Sequence, residues 1–169
     1  LNAQADYQIN SDLQLMAKLN MNSSAANYNY RLHQSDYLNY NWQNNFKNQQ
    51  TQQLAFELTS YKYGTLSADY STISNFLFFE NKESQGVKPY QYDGTINDAR
   101  VKYEKEFKFG NFALNNTLLY QQVFEGDQVF NVPQINTRNT FYYSNTFFDK
   151  ALFLQTGINF HYFTAYNMN

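Results

Sequence analysis

The sequence predicts an all-β fold, residues 1–169 being part of one antiparallel transmembrane β-barrel, a fragment of a larger barrel. Three observations lead there: long segments alternate apolar and polar residues with a period of two, these segments exceed the ~5–6 residues of globular strands, and short and long connections alternate between them. The composition agrees. The 169 residues hold 12 Lys+Arg against 14 Asp+Glu, and 16 Tyr and 16 Phe stand beside 24 Asn and 16 Gln. A mean hydropathy of −0.69 thus accompanies an aromatic share of 20%, more than a polar soluble chain needs for its core. No apolar run approaches the ~20 residues of a transmembrane helix, so a membrane crossing must be made by strands. Near-neutral charge excludes the electrostatic footprint of nucleic-acid binding. The lack of cysteine excludes disulfides, zinc–thiolate sites and thiol nucleophiles.

Taken in order, Leu13, Leu15, Ala17, Leu19 and Met21 alternate with Gln14, Met16, Lys18 and Asn20 after a short turn at Asn10-Ser11-Asp12. From Asn22 to Gln50 the pattern weakens. Two readings stand for that stretch: one more hairpin turning at Gln34-Ser35-Asp36, or a long folded extracellular loop. Leu54, Phe56 and Leu58 then alternate with Gln53, Ala55, Glu57 and Thr59 up to a short turn at Tyr61-Lys62-Tyr63. A long polar link is expected from Glu80 to Gly94. The strand from Ala99 to Phe109 sets Ala99, Val101, Tyr103, Phe107 and Phe109 against Arg100, Lys102, Glu104, Glu106 and Lys108. Gly110-Asn111 is the next short turn, and Glu125 to Asn136 the next long link. Asp149-Lys150 turns into the last strand, where Leu152, Leu154, Thr156, Ile158, Phe160 and Tyr162 alternate with Phe153, Gln155, Gly157, Asn159 and His161. Short turns on one side and long links on the other match the loop asymmetry of outer-membrane barrels. A soluble sandwich or lipocalin-like barrel, with its apolar face inward, is the competing architecture. Strand length, loop asymmetry and aromatic content weigh against it.

Two-residue turns fix cross-strand partners. About Gly110-Asn111, Phe109 faces Phe112, Phe107 faces Leu114, Tyr103 faces Leu118 and Val101 faces Tyr120. About Asp149-Lys150, Phe147 is set opposite Leu152, Tyr143 opposite Ile158 and Phe141 opposite Phe160. On the other face Arg138 meets His161, Thr140 meets Asn159 and Ser144 meets Gln155. The apolar faces coincide in both hairpins, which a one-residue slip would destroy. Aromatics crowd the short turns (Tyr61, Tyr63, Phe107, Phe109, Phe112, Phe147, Phe148) and the opposite strand ends (Phe76, Phe78, Tyr120, Phe124, Tyr162, Tyr166), as girdles at two membrane–water interfaces require.

The segments FGNFALNNTLLYQQV from Phe109, VFNVPQINTRNTFYYSNTFFDKALFLQTGINFHYFT from Val129 and YNYRLHQSDYLNYNWQNNFKN from Tyr28 resemble the putative porin family of the Bacteroidota outer membrane. The resemblance covers most of the chain, above all TRNTFYYSN and KALFLQTG, and corresponds to part of such a barrel. It implies a β-barrel in the outer membrane of a Gram-negative bacterium and brings no catalytic or ligand motif. The start at Leu1-Asn2-Ala3 and the end at Asn167-Met168-Asn169 read as those of a piece of a longer protein.

The chemistry expected is that of a channel wall. Arg100, Lys102, Glu104, Glu106, Arg138, Gln155, Asn159 and His161 are the candidate lumen-lining residues, either tuning ion passage or forming a self-neutralising solvated face. His33 and His161 are too few and too far apart for a metal site, and neither has the serine and third polar group of a hydrolase, so no enzyme, metal or cofactor is expected. Tyr28, Tyr30, Tyr37, Tyr40 and Trp42, with Asp36 and Gln43, could stack on a glycan, but packing within a folded loop is favoured. The outward face is interrupted at Lys105, Asn116 and Asn145, which are expected at one level. Lys105 snorkelling, with Asn116 as its hydrogen-bond partner, is the favoured account of them. The alternative is that this outer wall contacts another outer-membrane protein, a lipoprotein or ordered headgroups, in which case the barrel is a non-transporting subunit of an assembly. The leading expectation is a porin-like channel for passive passage of small solutes, bounded by outer-membrane lipids and unconnected with nucleic acid. The chain is expected not to close a barrel alone.

Overall fold

The computed structural model describes residues 1–82 and 86–167. Alternation has become a meander of eight antiparallel strands: β1 (Asn2–Gln8), β2 (Leu13–Ser24), β5 (Gln49–Ser60), β6 (Gly64–Ser74), β9 (Thr95–Phe109), β10 (Phe112–Glu125), β11 (Ile135–Phe147) and β12 (Leu152–Phe163). Each pairs with the next in that order, and the sheet is open, with β1 and β12 as its two edges. Seven of the eight have 11 to 15 residues, enough to cross a bilayer at a tilt.

The short connections lie at one end of the sheet. Gly110 opens the β9–β10 turn with φ +61°, the residue and position a type II′ hairpin needs. Asp149 and Lys150 both have positive φ (+52° and +73°) and Ala151 N–H bonds the Phe148 carbonyl at 2.9 Å, which is type I′ geometry. The β1–β2 turn closes on Asn10, whose side-chain oxygen accepts from Asp12 N and Leu13 N at 2.9 Å each. Asp12 also ties this turn to its neighbour: it accepts from Ser60 Oγ at 2.8 Å and from Lys62 N at 3.0 Å.

At the other end the long connections fold. Residues 25–48 carry α1 (Tyr28–Arg31), a small ladder of β3 (Leu32–His33) with β4 (Trp42–Gln43), and a 3-10 turn at Leu38–Tyr40 between them. The stretch is therefore a folded excursion, while β2 and β5 pair directly from Leu13↔Ser60 to Ser24↔Gln49. The long link expected from Glu80 to Gly94 is corrected: it forms most of a hairpin of β7 (Leu77–Lys82) and β8 (Gly86–Gln91), with residues 83–85 outside the described ones. Residues 168 and 169 of the expected chain end lie outside them as well.

Register steps along the sheet. β9 runs five residues, Lys105 to Phe109, beyond its last pair with β6 at Thr65↔Glu104. β11 runs four, Ser144 to Phe147, beyond Phe112↔Tyr143. A one-way stagger of this kind is what tilted strands need to wrap around a barrel axis.

The Gly110-Asn111 pairings are those the sequence predicts. In the last hairpin Phe147↔Leu152, Arg138↔His161, Thr140↔Asn159 and Ser144↔Gln155 hold, but two expected pairs are wrong by two residues. Tyr143 faces Thr156 rather than Ile158, and Phe141 faces Ile158 rather than Phe160, which faces Asn139. A two-residue error leaves every side chain on its proper face, so facial pattern alone does not reveal it; the turn does.

Candidate functional site on the polar face

Because register is continuous except at Phe124 in β10, the ladder sorts the other side chains of the sheet onto two faces. One collects Leu15, Leu54, Phe56, Leu66, Val101, Tyr103, Leu118, Phe141, Ile158 and Phe160. The other collects Lys18, Glu57, Asp69, Asp98, Arg100, Lys102, Glu104, Glu106, Lys108, Arg138, Gln155, Asn159 and His161. All eight candidate lining residues share this second face.

Burial along the sheet is inverted relative to a water-soluble fold. Val101 and Leu118 on the apolar face are 43% and 46% exposed, whereas Asp98 on the polar face is 4% exposed. Among the described residues the buried hydrophobic side chains are only Ala26, Leu77, Ile96 and Ala113. The polar groups bond one another instead. Arg100 Nε lies 2.8 Å from Asp69 Oδ2 and 3.4 Å from Asp98 Oδ2, and its Nη2 donates to Ser71 Oγ at 3.3 Å. Lys102 pairs with Glu104 at 2.8 Å and Lys108 with Glu106 at 2.9 Å. Thr140 donates to Asn159 at 3.2 Å. Arg138 stands beside His161 in the ladder and joins Glu104, Glu106, Lys108 and Asn115 around a hollow of about 510 Å³.

Several members of this network were not singled out from the sequence. Asp69 and Asp98 become partners of Arg100 only through the β6–β9 pairing, Asp69↔Arg100, across a long connection. Tyr142 donates to Glu106 and breaks the alternation, since Phe141 and Tyr143 flank it on the apolar face. A signal for it exists: its ladder neighbours are Ala113 and Gly157, and a Cβ on Gly157 would stand 2.6 Å from the Tyr142 Cβ. Two small residues make room for one ring.

The outer-wall candidates do not form the row expected. Lys105 faces Asn116, as the register predicts, but Asn139 is the next residue in that row. Asn145 lies six positions nearer the turn end, opposite Leu154, and donates to Tyr143 Oη at 2.9 Å. Lys105 does bend away, but the expected partner is corrected: Nζ donates to the carbonyl of Lys62 in the β5–β6 turn, passing over Gly64, and not to the Asn116 side chain. Asn116 turns to backbone carbonyls, Leu114 at 3.3 Å and Lys105 at 3.5 Å. Tyr103 Oη likewise reaches the Tyr63 carbonyl at 2.7 Å.

Aromatic rings mark both ends of the apolar face: Tyr61, Phe109 and Phe148 at the turns, Tyr120 and Tyr162 at the other end, all exposed. Phe76 and Phe78 are an exception to the expected girdle, because they pack among the loops, Phe76 against Phe130 at 5.5 Å. In the excursion after β2, Tyr30 stacks on Phe79 at 4.8 Å and His33 on Trp42 at 4.7 Å, while Trp42 Nε1 donates to the Asn29 carbonyl at 3.0 Å. Those rings hold the loop together, and Tyr28 and Tyr37 remain exposed.

The sequence profile of a protein family described as putative porin matches residues 1–169, the whole chain. No curated protein matches it.

Proposed function

The chain belongs to the putative porin family, and from that premise we propose that its sheet is part of the wall of an outer-membrane channel in a Gram-negative bacterium, passing small solutes passively. The observation that carries the reading is the inverted burial. An apolar face exposing Leu54, Phe56, Leu118, Phe141, Ile158 and Phe160 is stable against hydrocarbon and costly against water. A polar face whose charges are mutually paired suits a water-filled interior: Arg100, Lys102 and Lys108 each have a carboxylate partner, so solutes meet a mixed field rather than one sign. Closure would require strands that continue from the free edges of β1 and β12, since an exposed edge strand presents unpaired backbone groups that lipid cannot satisfy. On this reading the lipids of the outer membrane are the partner of the outer wall, and the lysine at position 105 is a snorkelling residue. We read no enzymatic role into the chain: His33 is stacked within a loop, and His161 faces Arg138 across the ladder.

Planar-bilayer recording with the full-length protein tests the proposal. Stable stepwise currents are expected, with weak ion selectivity. An electrically silent protein that is correctly folded would contradict passive transport.

A further inference from the structure

The connection between β10 and β11 leaves the sheet on the polar side. A bulge prepares this: Val123 pairs with Asp98 but Glu125 pairs with Asn97, so Phe124 is an extra residue. The insertion reverses the faces that follow it. Glu125 turns to the outer face, where Asn97 Nδ2 reaches it at 2.6 Å, and Gly126 is brought over Ile96. Ile96 shares the polar face with Asp98 and Arg100 and is 0% exposed. A Cβ on Gly126 would lie 2.6 Å from Ile96 Cγ1, so only glycine allows the approach, and φ at +83° requires it too. Further along, Gln121, a polar-face residue opposite Arg100, donates its side-chain amide to the Pro133 carbonyl at 2.7 Å. Both ends of the connection are therefore fastened over the polar face. Phe130 then packs on Phe76. Ser71 and Asp98 beneath are 3% and 4% exposed.

We infer that residues 126–134 form an infolded segment that narrows the channel above the Arg100 cluster and sets the largest solute it passes. The inference rests on the porin reading and adds the place of its size limit. A segment lying across a polar wall fills lumen that water would otherwise occupy.

The test uses the full-length protein with residues 127–132 replaced by Asn-Gly. Conductance in planar bilayers and entry of graded polyethylene glycols into proteoliposomes are the readouts. The expected result is an increase in single-channel conductance of about twofold or more and entry of larger polymers. A silent wild type beside a conducting variant would overturn both the inference and the porin reading, since a segment that closes the pore outright neither sets a size limit nor allows passive passage. Equal currents and an equal size limit in both proteins would overturn the inference and leave the porin reading intact, whereas silence from both overturns the two together. Should the shortened protein fail to fold, Gln121→Ala, which frees Pro133 without changing chain length, is expected to raise conductance. Unchanged conductance in that variant would overturn the inference.

Discussion

Neighbouring residues on one strand lie on faces of opposite character, and Ile158 and Asn159 in the middle of β12 give the sharpest instance. Ile158 is 75% exposed on the apolar face, while Asn159 accepts from Thr140 on the polar one. If the apolar face meets lipid, as the proposed channel wall requires, a guanidinium at the first position puts a charge in hydrocarbon, at a cost of about 2–4 kcal/mol near the midplane. At the second it enters a wall that already holds Arg138 and His161. Ile158→Arg is therefore expected to lower the folding stability of the full-length protein in phospholipid vesicles by that amount, and Asn159→Arg to change it by less than about 1 kcal/mol. Urea titration followed by tryptophan fluorescence measures both, and equal losses would contradict the facing. Individual ion pairs on the polar side should matter less. Lys102–Glu104 is 40% exposed at each side chain, in the range where paired charges contribute little to stability.

Turns decide the register of the elements, and two of them allow specific predictions. Lys150 sits at φ +73° in the β11–β12 turn, a left-handed conformation that costs a side-chain-bearing residue roughly 1 kcal/mol. Lys150→Gly is expected to stabilise the hairpin by up to about that much, read as a higher urea midpoint. Asp12 holds Ser60 and the Lys62 amide across two adjacent turns, so Asp12→Ala leaves those donors without their carboxylate partner. A loss of about 1–3 kcal/mol is expected in the same titration, since stranding a part-buried donor costs its desolvation. A midpoint unchanged by Asp12→Ala would remove the turn clasp from the account.

The same scale separates what was legible in the sequence from what was not. Strands β2, β5, β9, β10, β11 and β12 were readable because one face is apolar and the other polar, which imposes period two, and because Gly110-Asn111 and Asp149-Lys150 are hairpin signals with a mechanism. The β7–β8 hairpin was hidden: in Leu77-Phe78-Phe79-Glu80-Asn81-Lys82 aromatic packing inside a loop cluster, not a face against solvent, selects the side chains. The fold of residues 25–48 was hidden for the same reason. At the candidate site, the eight lining residues were legible from parity alone, but their partners Asp69 and Asp98 were not, because pairing across a long connection has no local turn to fix it.

At the scale of the whole molecule, the sheet has no apolar interior of its own. Of the four buried hydrophobic residues among those described, only Ile96 and Ala113 belong to it, and Ile96 alone of the large side chains is fully enclosed. Stability must then come from the backbone ladders and from whatever covers the apolar face. Hydrocarbon fits that role, since it makes interstrand hydrogen bonds obligatory while asking nothing polar of the outer side chains. The stagger of register and the one-sided distribution of long connections belong to the same design, the one the proposed channel wall needs if its strands tilt in a membrane with the loops at one rim. The 169 residues contain no cysteine, so each position can be read by a single introduced cysteine once any cysteine elsewhere in the full-length protein is replaced. Scanning Tyr142 to Phe147 and Leu154 to Phe160 in the full-length protein, reconstituted in vesicles, with a membrane-impermeant thiol reagent tests the central claim most directly. The account predicts labelling with a period of two: strong at Ser144→Cys, Gln155→Cys and Asn159→Cys, absent at Leu154→Cys, Ile158→Cys and Phe160→Cys. Labelling that is uniform along both strands, or strong on the Ile158 face and absent on the Asn159 face, would contradict it.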